Sequence, residues 1–197
     1  MRIGTRVQLG VVLAAGLLVS SPAWAATYRI DPDHSSVGFR IRHLLSHVTG
    51  TFDKLESSFD YEPGHPEQWK VTAAIQADSI NTRVEKRDNH LRSPDFFDVA
   101  KFPSITFKST GVSDATATSV KVQGVLTIHG VEKPVVLDVQ LHGEAKDPWG
   151  NVRAGATATT TINRKDFGLT WNKTLETGQL FVGEEVEITV EIEGIKQ

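Results

Sequence analysis

The C-terminal segment limits the possible folds more than any other feature of the chain. Val186, Ile188, Val190 and Ile192 alternate there with Glu185, Glu187, Thr189, Glu191 and Glu193. Successive side chains of a strand point to opposite faces, so this pattern requires one apolar face and one wetted face. The same period recurs along the chain: Val37, Phe39, Ile41; Leu55, Ser57, Phe59, Tyr61; Trp69, Val71, Ala73, Ile75, Ala77; Val120, Val122, Gly124, Leu126, Ile128; Val135, Leu137, Val139, Leu141; and Ala154, Ala156, Ala158, Thr160, Ile162. Turn signals separate these runs at Pro63-Gly64-His65-Pro66, at His129-Gly130 and at Asp147-Pro148-Trp149-Gly150-Asn151. The spacing predicts an all-β chain of about eight strands, mostly neighbours in sequence. An open antiparallel sheet of that size exposes two edges, and closure into a barrel removes them. Small side chains at Ala154, Gly155, Ala156 and Ala158 favour a cavity, while a close-packed β-sandwich satisfies the same periodicity.

One segment breaks the pattern. Residues 82–98 are charged and helix-like, with Thr82 and Glu85 at capping-box spacing. Such an insert is expected to cover an open end of the sheet. Its cluster Arg83, Lys86, Arg87, Asp88, His90 and Arg92 is either a solvated helix face or a contact surface for an anionic or quinone-like head group.

Residues 1–25 read as a secretory signal peptide: Arg2 and Arg6, an apolar run from Leu9 to Val19, then Ala23-Trp24-Ala25. Cleavage is expected before Ala26, leaving one domain over 26–197. Loss of those two arginines takes the formal charge from −3 to −5. An acidic chain argues against nucleic acid as partner. The absence of Cys excludes thiol nucleophiles, thiolate metal sites and redox pairs. No segment after the signal peptide is long and apolar enough to be a membrane helix.

Catalytic motifs are absent or out of context. Asp166-Phe167-Gly168 spells a kinase triplet but lacks the accompanying glycine-rich and catalytic loops. It reads instead as a packed Phe167, a bend at Gly168 and a local Arg164–Asp166 ion pair. No GxSxG, SxxK or HExxH occurs among these residues. His129 and His142 are able to meet across a predicted hairpin, on its wet side, and no metal site is expected from them.

Four ordered blocks then identify a resemblance. Ile30-Asp31-Pro32-Asp33-His34-Ser35 with Val37-Gly38-Phe39 and His43 resembles the opening of the YceI-like proteins. Lys86-Arg87-Asp88, His90-Leu91, Asp95 to Val99 and Phe102 to Phe107 are similar to their central signature. Gly124 to Gly130 with Pro134-Val135, and Ile162 to Gly168, match the third and fourth blocks. The similarity runs from Tyr28 to Ile195. It implies an extended antiparallel, lipocalin-like β-barrel that binds polyisoprenoids or other long-chain amphiphiles such as polyprenyl quinones. It also implies a periplasmic location and a possible homodimer, with no catalytic residues, metal or other cofactor. The alternatives are an enzyme acting on a bound isoprenoid, through residues such as His34 and His90, and a solid-core stress or interaction protein.

In such a barrel the expected inward side chains are Phe39, Ile41, Phe52, Phe59, Ile75, Ile105, Phe107, Leu126, Ile128, Leu137, Val139, Ile162, Phe167, Ile188 and Val190. Head-group contacts are expected from Arg83, Arg87, His90 and Arg92. Trp69, Trp149 and Trp171 are expected at the rims, where an indole stays half wet.

Overall fold

The computed structural model describes residues 25–174 and 181–197. The expected signal peptide lies outside this range apart from Ala25. The elements are β1 (Ala26–Ile30), β2 (Ser36–His43), β3 (Ser46–Phe52), β4 (Leu55–Tyr61), β5 (Lys70–Gln76), β6 (Ile80–Asn81), α1 (Glu85–Arg92), β7 (Ser104–Ser113), β8 (Ser119–Ile128), β9 (Val131–Lys146), β10 (Val152–Asn163) and β11 (Val182–Lys196). All pairings are antiparallel. The order β1-β4-β5-β7-β8-β9-β10-β11 returns to β1, so eight strands close a barrel. The closed barrel, not the sandwich, is the solution this chain adopts.

β11 makes the closure possible. Its 15 residues are long enough to hold two partners on one edge. Val182 to Glu191 pairs with β2, and Gly194 to Lys196 pairs with β1. β1 and β2 are therefore one N-terminal path broken at residues 31–35. Pro32 has no N–H to donate, so the ladder stops there. Asp31 accepts from the Asp33 N–H in an Asx turn (3.1 Å). The Ser35 hydroxyl fills the gap, accepting from the Glu193 N–H at 3.0 Å and donating to its carbonyl at 3.2 Å. Past the break, β1 turns in to β4 and seals the barrel. β2 instead continues into a flap with β3 and β6 that extends one end.

The sequence pattern finds neither β1 nor β3 as a strand. β1 is too short for a persuasive period, and β3, SHVTGTF, offers apolar side chains only at Val48 and Phe52. Their pairing partners, distant in sequence, define them.

Facing residues of β10 and β11 set the inner wall. Ala154, Ala156, Ala158, Thr160 and Ile162 stand directly opposite Gly194, Ile192, Val190, Ile188 and Val186. Glu185, Glu187 and Glu191 face water outside. The β1 end of the barrel is stopped by aromatic side chains. Tyr28 is fully buried and stacks on Phe59 with centroids 5.1 Å apart. Tyr61 packs on Trp69 at 4.8 Å. Gly194 is required here, because a Cβ would lie 2.6 Å from the Phe59 ring. The opposite end is roofed by α1 and the turns that follow it. Phe97 meets Phe52 edge-on at 5.7 Å, and Leu91 and Val99 pack on the same core.

The insert forms its helix differently from the capping-box expectation. The helix begins at Glu85, with Val84 as an N-cap that makes no side-chain bond. Thr82 lies upstream, and its N–H (2.9 Å) and its hydroxyl both donate to the buried Asp88 carboxylate. Arg87 Nε donates back to the same hydroxyl at 2.7 Å. The capping box does not form: the Thr82 hydroxyl, which would accept from the Glu85 N–H there, instead donates to Asp88 and accepts from Arg87.

Candidate functional site

The barrel is hollow. A cavity of about 560 Å³ runs from the strands of its middle to the underside of α1. That volume falls in the range of small-molecule binding sites. Inward residues such as Phe39, Ile41, Ile75, Leu126, Ile188 and Val190 are only half-buried although they point away from bulk water. They border empty space rather than one another. The solid-core alternative is thereby corrected.

Thirteen of the fifteen side chains expected to point inward line this cavity: Phe39, Ile41 and Phe52 from the flap, Ile75, Ile105 and Phe107 from β5 and β7, Leu126, Ile128 and Leu137 from β8 and β9, and Ile162, Phe167, Ile188 and Val190 from the last part of the chain. Phe59 and Val139 lie elsewhere. They border a second, smaller cavity of about 90 Å³ toward the stopped end, walled also by Tyr61, Trp69, Ala154 and Ala156. Ser57, Val71, Leu137, Ala158 and Ile192 border both spaces, so the two are separated only by a collar of side chains.

Among the described residues, charged groups reach the main cavity at one end only. α1 presents Arg87, His90 and Leu91 to it, three and four residues apart on one helix face. Its other face is tied down: Arg92 donates to the carbonyls of Asp78 and Ile80, both at 2.7 Å. Of the four expected head-group residues, Arg87 and His90 therefore line the cavity. Arg92 is instead a structural clamp, and Arg83 points to solvent. The sequence could not separate these four, since the face each one takes depends on how Asp88 and Arg92 pin the helix to β6. Lys86 lines the cavity as well and was visible in the same charge cluster.

Arg164 is the residue that the sequence reading misassigned. It makes no ion pair with Asp166 among the described residues. Only 3% of it is exposed, and it borders the cavity. Nε donates to the Gly183 carbonyl at 2.8 Å and Nη1 to the Leu169 carbonyl, while Nη2 has no partner among the described residues. Burial pulls its pKa down, partly countered by Glu184. Asn163 caps the short turn that aims it, and Gly168 (φ 80°) ends that turn in the left-handed region. Among the described residues, every ionisable side chain lining the main cavity is basic: Lys86, Arg87, Arg164, His43 and His90. The chain as a whole is acidic, so this sorting belongs to the site.

Aromatic rings surround this end. His90 meets Phe96 and Trp171 edge-on, each at 5.0 Å, and its Nε2 lies 2.8 Å from Asp95. His43 meets Phe181 at 4.3 Å. Of the three indoles expected at rims, Trp171 borders the cavity mouth and Trp69 the small cavity. Trp149 stands in an outer turn, 81% exposed.

Two other histidine groupings lie away from the cavity lining. His129 occupies the β8–β9 turn, whereas His142 sits far along β9 and bonds Thr157 at 2.8 Å, so they do not meet. Asp31, His34 and Glu193 gather ligand atoms within 4.8 Å of one another. Arg153 already bridges them, with Nη1 2.6 Å from Asp31 and 2.5 Å from Glu193, and Nε 2.9 Å from Asp147. This is an ion-pair pin at the β1–β2 break, poorly disposed for a cation. His34 belongs to it, outside the cavity, so the His34–His90 pair of the enzyme alternative is not assembled.

A closed antiparallel barrel with an apolar bore and a polar mouth defines a class of internal-cavity binding barrels. The YceI-like domain model matches residues 28–194, and the chain belongs to that family. It is 41% identical over 192 residues to Protein YceI of Salmonella arizonae and, equally, of Salmonella newport, covering 96% of this chain and 97% of each of those. Among solved structures, the Campylobacter jejuni YceI protein superposes with a TM-score of 0.68 at 31% identity, covering 79% of this chain and 90% of that one. Burkholderia cenocepacia BcnA shares the fold with a TM-score of 0.73 at 21% identity, covering 83% of this chain and 98% of that one. A polyisoprenoid binding domain from Saccharophagus degradans shares it with a TM-score of 0.64 at 17% identity, over 88% and 99%.

Proposed function

We propose that this protein is an exported, periplasmic carrier or store for a polyisoprenoid or other long-chain amphiphile, such as a polyprenyl quinone. The tail would occupy the barrel, and the polar end would sit at the mouth against Lys86, Arg87, His90 and Arg164. The observation that carries this reading is the hollow of about 560 Å³, apolar through its length and basic at one end. Hydrocarbon released from water yields about 0.8 kcal/mol per methylene, so a tail of about five isoprene units gives roughly 20 kcal/mol gross. That reaches the practical ceiling of non-covalent affinity, about 18 to 21 kcal/mol. Freezing the chain takes back much of it. Such a protein needs no tight polar recognition, and a bore of suitable shape suffices. The fold is one that a polyisoprenoid binding domain also uses.

The test is chemical. Protein purified from cells without detergent is extracted with organic solvent, and the extract is analysed by mass spectrometry. Delipidated protein is then titrated with solanesol and with a polyprenyl quinone. A stoichiometric long-chain species in the extract, or saturable binding of either probe, is the expected outcome. An empty extract together with no binding of either probe sinks the proposal.

A further inference from the structure

The rim of the mouth carries a feature that neither folding nor cargo binding explains. The β2–β3 hairpin turns through Leu44 and Leu45, and Leu45 is 93% exposed. Leu44 is also exposed and holds φ at 51°, a left-handed conformation that a bulky side chain enters at a cost. Gly, Asn or Asp would make this turn more cheaply, and neither leucine lines the cavity. A second strained residue, Arg83 (φ 64°), precedes Val84, which is exposed and lines the cavity where it reaches the surface. The hairpin tip is joined to the mouth directly: the Leu44 N–H donates to the Phe181 carbonyl at 2.9 Å, and His43 and Phe181 are lining residues. The remaining exposed large apolar side chains among the described residues stand singly and apart, Val136 on the outer face of β9 and Trp149 in the β9–β10 turn.

The charge around these side chains has a consistent sign. Residues 42–48 and 83–87 hold Arg42, Arg83, Lys86 and Arg87 against one carboxylate, Glu85, a net of +3 on a chain whose net is −3. Arg42, Arg83 and Lys86 have no ion-pair partner among the described residues. Exposed apolar side chains at the rim, each with cations beside it in the chain (Arg42 next to the leucines, Arg83 and Lys86 flanking Val84), fit the interface of an anionic bilayer: the leucines enter the acyl boundary and the cations meet phosphates. A cargo with negligible solubility in water also has to enter and leave from such a phase.

We propose that this rim is a docking surface for an anionic lipid bilayer, with Leu44, Leu45 and Val84 entering the interface and Arg42, Arg83 and Lys86 contacting head groups. It rests on the carrier reading for its purpose and on the surface alone for its existence.

The test uses the processed full chain and sucrose-loaded vesicles that contain no cargo lipid. One set is equal parts phosphatidylglycerol and phosphatidylethanolamine, the other phosphatidylcholine alone. The wild type is expected to pellet with the anionic set, less so at high salt. Leu44→Ser/Leu45→Ser and the single Leu45→Ser should weaken partitioning, the double variant by about tenfold or more. Arg42→Gln/Arg83→Gln should remove most of the salt dependence. All of these variants should bind solanesol in detergent as the wild type does, and Leu45→Ser, altering a side chain in water, keeps the fold. Wild type remaining in the supernatant with both sets overturns the proposal, as does Leu45→Ser pelleting unchanged. So does a wild-type dimer in sedimentation velocity that Leu45→Ser splits, because the patch then belongs to a second copy. Vesicle binding by a protein that never holds lipid refutes the carrier and leaves the docking surface standing.

Discussion

Ala73 points into the barrel from the middle of β5, opposite Ser57 on one side and Phe107 on the other. It is half-buried because it borders the cavity. Ala73→Phe adds six carbons there. In a close-packed interior such a change forces off-rotamer side chains and backbone shifts costing about 1–3 kcal/mol, occasionally more. In a hollow one the ring enters vacant apolar space. At about 0.8 kcal/mol per carbon removed from water, the gross gain approaches 5 kcal/mol, reduced by residual exposure and lost rotamer freedom. We expect the delipidated variant to match the wild type within about 1 kcal/mol, or to exceed it by up to about 2 kcal/mol. Binding should move the other way. The ring takes volume from about as many tail carbons as it adds, which removes roughly 4–5 kcal/mol and weakens affinity on the order of a thousandfold. Urea midpoints at unchanged slope report the first quantity, and a solanesol titration reports the second. A loss of more than 3 kcal/mol with wild-type lipid affinity would falsify the hollow-barrel argument.

Further outcomes follow from the same geometry. Gly124→Ala places a Cβ 2.3 Å from the Phe107 ring and 2.7 Å from the Lys108 carbonyl. It should destabilise by about 1–3 kcal/mol in urea, and an unchanged midpoint contradicts that packing. Arg153, then His34, hold the Asp31 carboxyl down at about 2. Burial works to raise Asp147, but hydrogen bonds from Arg153 and Asn151 outweigh it and hold that carboxyl low as well. Both groups have folded values below their unfolded ones, so their stabilisation is complete above about pH 4 and fades as pH falls toward 2. Melting temperature should drop through that window, and Arg153→Gln should flatten the drop; parallel curves for the two proteins would refute the pin. Arg164→Met strips the Gly183 and Leu169 carbonyls of charged donors and should cost about 2 kcal/mol. A wild-type midpoint would show that Arg164 contributes nothing to holding the fold.

How much of the site was legible depended on how local its determinants were. Each strand has its own period, so the inward face of β5, β8, β9 and β11 could be assigned one strand at a time. The charged insert was legible as a cover because its composition contrasts with its surroundings. Arg83, Arg87, His90 and Arg92 looked alike in sequence, and the structure divides them between solvent, mouth and clamp. Arg164 was hidden because its partners are backbone carbonyls, which carry no sequence signal: Leu169 five residues on and Gly183 at the start of β11, nineteen residues away.

By itself, then, the sequence determined that this chain is all-β, which side of most strands is apolar, and where a helix interrupts them, because those properties depend on side-chain alternation within a few residues. Only the tertiary structure decided that the apolar faces enclose space rather than one another. Closure is a property of long-range partners: β11 must hold β1 and β2 on one edge, and the aromatic stop of Tyr28, Phe59 and Trp69 must gather at one end. Whether inward side chains fill the circumference they define is set by ring size and stagger, which no single strand encodes.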